Sequence, residues 1–243
     1  MSDGAQVVSD GGEFHGLLSG DPGPIVRWTS AWEVRRLVHG AMLIVVGSAC
    51  YGTAMGWWRD PLQALYVAIK LPLILLLTAV GNALLNAMLA PLLGLNIRFR
   101  QSFLAIFMSF AIAGTILGSF SPLVGFLVWN APPMSTDFSV SGGTYSLIML
   151  THVAVIAFAG VVANVRLLQL LRELGGNMRV AWRVLFAWLI GNLFLGSQLS
   201  WIFRPFIGSP ALPIQFFRDH PLAGNFYEAV LHSFWRLWNP NNT

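Results

Sequence analysis

The stretch VAIKLPLILLLTAVGNALLNAMLAPLL, residues 67–93, decides the fold of this chain. A helix needs about 20 apolar residues to cross the roughly 30 Å hydrocarbon core of a bilayer. This stretch is longer than that and holds one charged side chain, Lys70. A lone strand cannot cross there, because its backbone groups would stay unpaired in lipid. The stretch therefore predicts a transmembrane helix.

The composition of the whole chain agrees with this prediction. Of its 243 residues, 56% are hydrophobic and 10% are charged, whereas soluble domains carry about 25% charged residues. This excludes a disordered chain, a basic nucleic-acid-binding protein and a soluble enzyme. We predict an all-α fold, a polytopic transmembrane helical bundle with five spans and a C-terminal amphipathic interfacial helix. The predicted spans are residues 37–58, 67–93, 103–129, 144–165 and 184–203.

Three regions follow from these spans. Residues 1–36 form an N-terminal segment in which Ser30 and Glu33 match a capping box and predict a short helix. Residues 37–203 form the transmembrane domain. Residues 204–243 form a C-terminal segment, where prolines end the last span before the amphipathic helix begins.

Arginine placement predicts the orientation of the spans. Cytoplasmic loops carry an excess of Lys and Arg, so the side with more arginines should face the cytoplasm. The N-terminus is then cytoplasmic and the C-terminus extracytoplasmic, in a bacterial-type inner membrane or a plasma membrane. One side receives Arg27, Arg35, Arg36, Arg98, Arg100, Arg166, Arg172, Arg179 and Arg183, and the other receives Arg59, Arg204, Arg218 and Arg236.

Polar side chains inside the predicted spans are candidates for a pore or a polar network. No Asp or Glu lies in a predicted span, so the chain lacks the membrane carboxylates common in ion-coupled transporters. The amides can line a water path or hydrogen-bond neighbouring helices. Lys70 lies close to Pro72. Either the two residues mark a helix break that attracts an anion, or the Lys70 side chain extends its ammonium group to the membrane–water interface. The candidates are Lys70, Asn82, Asn86, His152, Asn164, Asn192 and Gln198.

Two further residue sets predict helix contacts. Small residues at four-residue spacing let helix backbones approach closely, within one chain or between copies. They are Ser48, Gly52, Gly56, Gly114, Gly118, Gly196 and Ser200. Near the C-terminus, apolar residues at three- and four-residue spacing predict a helix face that packs on the span ends or binds a partner. They are Tyr227, Val230, Leu231, Phe234 and Trp238.

The sequence carries no motif for catalysis, metal binding or cofactor binding. It implies no cofactor, although bound lipid is compatible with it. The expected partners are the bilayer and either other membrane subunits or copies of the chain. Nucleic acid is not an expected partner. Three functions stay open. The first is a noncatalytic subunit or scaffold of a membrane complex. The second is a homo-oligomeric passive channel or facilitator for an anion or small polar solute. The third is a lipid-modifying membrane enzyme with His152 or His232 as its base.

Overall fold

A computed structural model describes residues 34–134, 138–208 and 212–228, together with Gly16 and Ser19, and it describes side chains up to residue 134 and again from residue 143. Five long helices dominate the described residues, and each is long and apolar enough to cross a membrane. They are α1 (Val34–Trp57), α2 (Pro61–Leu92), α3 (Phe99–Trp129), α4 (Phe138–Gly175) and α5 (Met178–Phe203).

Local sequence signals set the ends of these helices. Asp60 caps α2 by accepting a hydrogen bond from the Leu62 amide at 2.7 Å, and Pro61 takes the first helical position, where its missing amide costs nothing. Asn177 caps α5 in the same way. Gly94 and Gly176, just beyond α2 and α4, have positive φ angles, which glycine adopts without strain.

The helices α2, α3, α4 and α5 contact one another in that cyclic order, and α1 lies against α2 and α3. Successive helices run in opposite directions. One end of the bundle, here called the arginine end, therefore holds the start of α1, residues 93–98 and residues 176–177. The other, here called the C-terminal end, holds residues 58–60 and 130–134 and the described residues after α5. Trp58 at this end donates to the Pro132 carbonyl at 2.9 Å.

The small-residue stripes are used inside the chain. A methyl group added at Gly118 would lie 2.8 Å from the Gly47 Cα atom, so α1 and α3 are in backbone contact there. A methyl group at Gly52 would lie 2.6 Å from the Val67 carbonyl oxygen of α2. Gly56 and Gly114 have similarly close backbone neighbours on the facing helices. The Ser48 hydroxyl donates to the Ile44 carbonyl within α1. The stripes therefore close the bundle around α1.

All five predicted spans are found, and most of the helices extend beyond them. Helix α2 begins at Pro61 rather than 67, and α4 has 38 residues, or about 57 Å of helix. That extension brings Glu173 into the last turn of α4, where the residue is exposed. The capping box of Ser30 and Glu33 lies outside the described residues. So do Val230, Leu231, Phe234 and Trp238 of the C-terminal helix, of which residues 226–228 are described as helical.

Candidate functional site

The segment after α5 folds back over the C-terminal end of the bundle. We call its described residues, 204–208 and 212–228, the C-terminal cap. Its position depends on side chains from α2 and α5 that bond to its backbone.

Lys70 is fully buried beneath the C-terminal cap. Its Nζ atom donates to the Pro205 carbonyl at 2.8 Å and lies 3.5 Å from the Gln215 carbonyl. The same atom lies 5.1 Å from the centre of the Phe216 ring, a distance at which a cation is attracted to the ring face. Helix α2 continues through Pro72 without a break. Lys70 is therefore held by cap carbonyls and an aromatic ring.

Two more side chains near the start of α2 hold the same segment. The buried amide of Gln63 donates to the Pro205 carbonyl at 3.1 Å and to the Phe206 carbonyl. The Arg59 guanidinium donates to the carbonyls of Ile207 and Leu212. Burial lowers the pKa of Arg59, and the Asp60 carboxylate raises it. Sequence analysis did not single out Gln63 or Arg59, although Gln63 lies seven residues before Lys70 on the same helix face.

The end of α5 fixes the last part of the cap. The Gln198 side-chain oxygen accepts from the Phe226 amide at 3.2 Å. The Ser197 and Tyr227 hydroxyls are 2.7 Å apart, and the Tyr227 ring stacks on Phe194 with 5.5 Å between ring centres. Tyr227, a candidate for partner binding, thus docks on α5 of its own chain. Gln198, a candidate for a pore, serves the same contact.

His152 forms a separate buried pair with Tyr51. The Tyr51 hydroxyl lies 2.9 Å from His152 Nδ1, and the two rings meet edge to face. This contact ties α1 to α4 in the half of the bundle nearer the C-terminal end. His152 Nε2 is buried without a hydrogen-bond partner among the described residues. Sequence analysis missed Tyr51, because a tyrosine in an apolar span carries no sign of which helix it meets.

The amide candidates separate into two groups. Asn82 and Asn86 of α2 are fully buried, and all four of their side-chain polar atoms lack hydrogen-bond partners in the described part of the chain. The Oδ1 atom of Asn192 on α5 is also buried without a hydrogen-bond partner among the described residues. Asn164 lies apart on α4, where its Nδ2 atom donates to the Gly160 carbonyl at 2.7 Å, and its Oδ1 atom is buried without a partner among the described residues. The seven polar candidates therefore do not line one path.

No metal site emerges from the described ranges, in which no group of three or more His, Cys, Asp or Glu side chains is placed to hold an ion.

Of the two remaining packing candidates, Gly196 faces α2, because a methyl group added there would lie 3.9 Å from Thr78 Cγ2. Ser200 is half-buried one turn further along α5.

Five long apolar helices in one bundle define the class of this molecule, which is a multi-pass helical membrane protein. The chain matches no protein family, no curated protein and no solved structure.

Proposed function

We propose that this membrane protein is a noncatalytic subunit or scaffold of a membrane protein complex and that the C-terminal cap meets its partner, another membrane polypeptide. One observation carries the proposal. The cap backbone is fixed by side chains of α2 and α5, yet five of its large apolar side chains stay exposed. They are Leu212, Phe217, Leu222, Phe226 and Tyr227.

Exposed large apolar side chains are typical of interaction sites, and the described cap carries these five within residues 212–227. A surface whose backbone is already ordered loses less conformational entropy when it binds. The small-residue stripes of α1 and α3, the other surfaces offered by the sequence, are occupied inside the chain. The cap is therefore the surface on which the subunit proposal rests.

Site-specific photo-crosslinking tests this proposal in native membranes. A photoreactive residue replaces Leu222 of the cap, which is 78% exposed, and in the matched control it replaces Leu92, which is 81% exposed at the arginine end. We expect position 222 to crosslink to one polypeptide that also co-purifies with the protein in stoichiometric amount after mild solubilisation. Position 92 should not give that product.

Lipid adducts alone at position 222, together with a native mass equal to one chain, would contradict the subunit proposal. A native mass that is a multiple of this chain would instead favour a homo-oligomer, which is the arrangement expected of a channel.

The unpaired side-chain atoms of Asn82 and Asn86, together with the unpaired Oδ1 atom of Asn192, favour a second candidate, a passive facilitator for a small polar solute. Lys70 lies on the same helix as Asn82 but about 18 Å away along the axis, and it is covered by the cap. The solute favoured by these positions is therefore neutral rather than anionic. Uptake of neutral solutes into liposomes that contain the folded protein tests this candidate, and uptake no faster than in empty liposomes would exclude it.

A further inference from the structure

Buried polar atoms without partners in the described residues are concentrated on α2 and α5. Thr78, Asn82 and Asn86 follow one another at four-residue spacing on α2, so they share one face of the helix. All three are buried. Trp188 lies about one turn before Gly191 on α5 and is fully buried with its indole nitrogen unpaired. The unpaired atoms are Thr78 Oγ1, Asn82 Oδ1 and Nδ2, Asn86 Oδ1 and Nδ2, Trp188 Nε1 and Asn192 Oδ1.

Helix α5 presents glycines to this polar face. A methyl group added at Gly191 would lie 2.9 Å from Asn82 Oδ1 and 3.9 Å from Asn86 Oδ1. Both amide oxygens therefore point at the α5 backbone, where no side chain can supply a hydrogen. A methyl group added at Gly196 would lie 3.9 Å from Thr78 Cγ2, which is an ordinary van der Waals contact. Glycine at both positions keeps side-chain atoms of α5 away from the polar face of α2.

The chemistry of the unpaired atoms defines what they can bind. Amide nitrogens and the indole nitrogen donate, amide oxygens accept, and the threonine hydroxyl does both. Neither α2 from residue 71 to its end nor α5 from residue 184 to its end carries a charged side chain. Groups that both donate and accept in an uncharged setting match a neutral molecule with the same two abilities.

We infer that the α2–α5 interface is a binding site for a small neutral molecule that both donates and accepts hydrogen bonds. Water and a small amide or hydroxylated solute share this chemistry. Buried polar groups in proteins are almost always paired with protein or with ordered water, and a buried water takes two to four polar partners. Asn82 and Asn86 together carry four such atoms, and Trp188 lies about one turn from the glycine that the two amides face.

Hydroxyl-radical footprinting of the full chain in lipid nanodiscs tests this inference. Radicals generated by X-rays from bound water modify the side chains beside that water. Trp188 and Met108 belong to the same buried cluster and are both fully buried, so Met108 is the matched control. We expect modification of Trp188 and protection of Met108. Incorporation of ¹⁸O from labelled water at Trp188 would identify water as the occupant.

A solute is distinguished from water by thermal unfolding in the presence of acetamide. A rise in Tm that disappears in Asn82→Leu/Asn86→Leu would identify a solute of amide type. The same double variant should lose the modification of Trp188. Asn164→Leu removes a span amide that bonds within its own helix, and it should leave both measurements unchanged.

The comparison of Trp188 with Met108 needs no variant, so it holds even if the double variant fails to fold. Protection of both side chains, together with no effect of acetamide on Tm, would overturn the inference. The amides would then pair directly across the helices.

Discussion

The Lys70 ammonium nitrogen lies 2.8 Å from the Pro205 carbonyl oxygen and so joins α2 to a residue that follows the last span. An ammonium group is costly to bury without partners. Here its partners are carbonyls and an aromatic ring of the C-terminal cap. The charge inside the second span thus fixes the segment that ends the described chain.

Replacing Lys70 with methionine should loosen the C-terminal cap. The substitution removes the lysine donor from the Gln215 carbonyl and one of the two side-chain donors from the Pro205 carbonyl, a loss of about 1–3 kcal/mol. We expect faster hydrogen exchange across residues 212–217, measured by mass spectrometry. Ile69→Met introduces the same side chain at an exposed neighbouring position and should leave the exchange unchanged. Equal exchange in the two variants would mean that Lys70 does not hold the cap.

The hydrogen bond between Tyr51 and His152 should contribute measurably to the stability of the bundle. Tyr51→Phe removes the hydroxyl that lies 2.9 Å from His152 Nδ1 and keeps the ring contact. Hydrogen bonds between membrane helices are worth about 1 kcal/mol. A double-mutant cycle with His152→Phe, measured by reversible unfolding in detergent, should give a coupling free energy of about that size. A coupling near zero would contradict the contact.

Two glycines of α3 should respond oppositely to the same substitution. Gly118→Ala forces a methyl group to within 2.8 Å of the Gly47 Cα atom, and overpacking of this kind costs about 1–3 kcal/mol. Gly125→Ala meets nothing within 4 Å and should be neutral, or more stable by up to about 1 kcal/mol. Thermal unfolding of the two variants checks the prediction, and equal destabilisation would refute the α1–α3 contact.

Hydropathy was sufficient to predict the number of spans, because each span must be apolar over its whole length. The glycine stripe at Gly114 and Gly118 predicted close packing, but such a stripe does not identify the helix that packs against it. The partners of Lys70 could not be predicted, since backbone carbonyls at 205 and 215 leave no trace in the sequence. The pairing of Tyr51 with His152 was equally hidden, because it depends on how α1 and α4 approach each other.

Five crossings would place the arginine end and the C-terminal end on opposite sides of the membrane, and the positive-inside rule predicts that the arginine end is cytoplasmic. This orientation is tested with two single-cysteine variants, Asn96→Cys and Leu222→Cys, each in a Cys50→Ser background. Intact cells are treated with a thiol reagent that cannot cross the membrane. We predict that position 222 reacts from outside and that position 96 reacts after permeabilisation alone. Reaction of both positions from the same side would contradict the five-span bundle and the site proposals built on it.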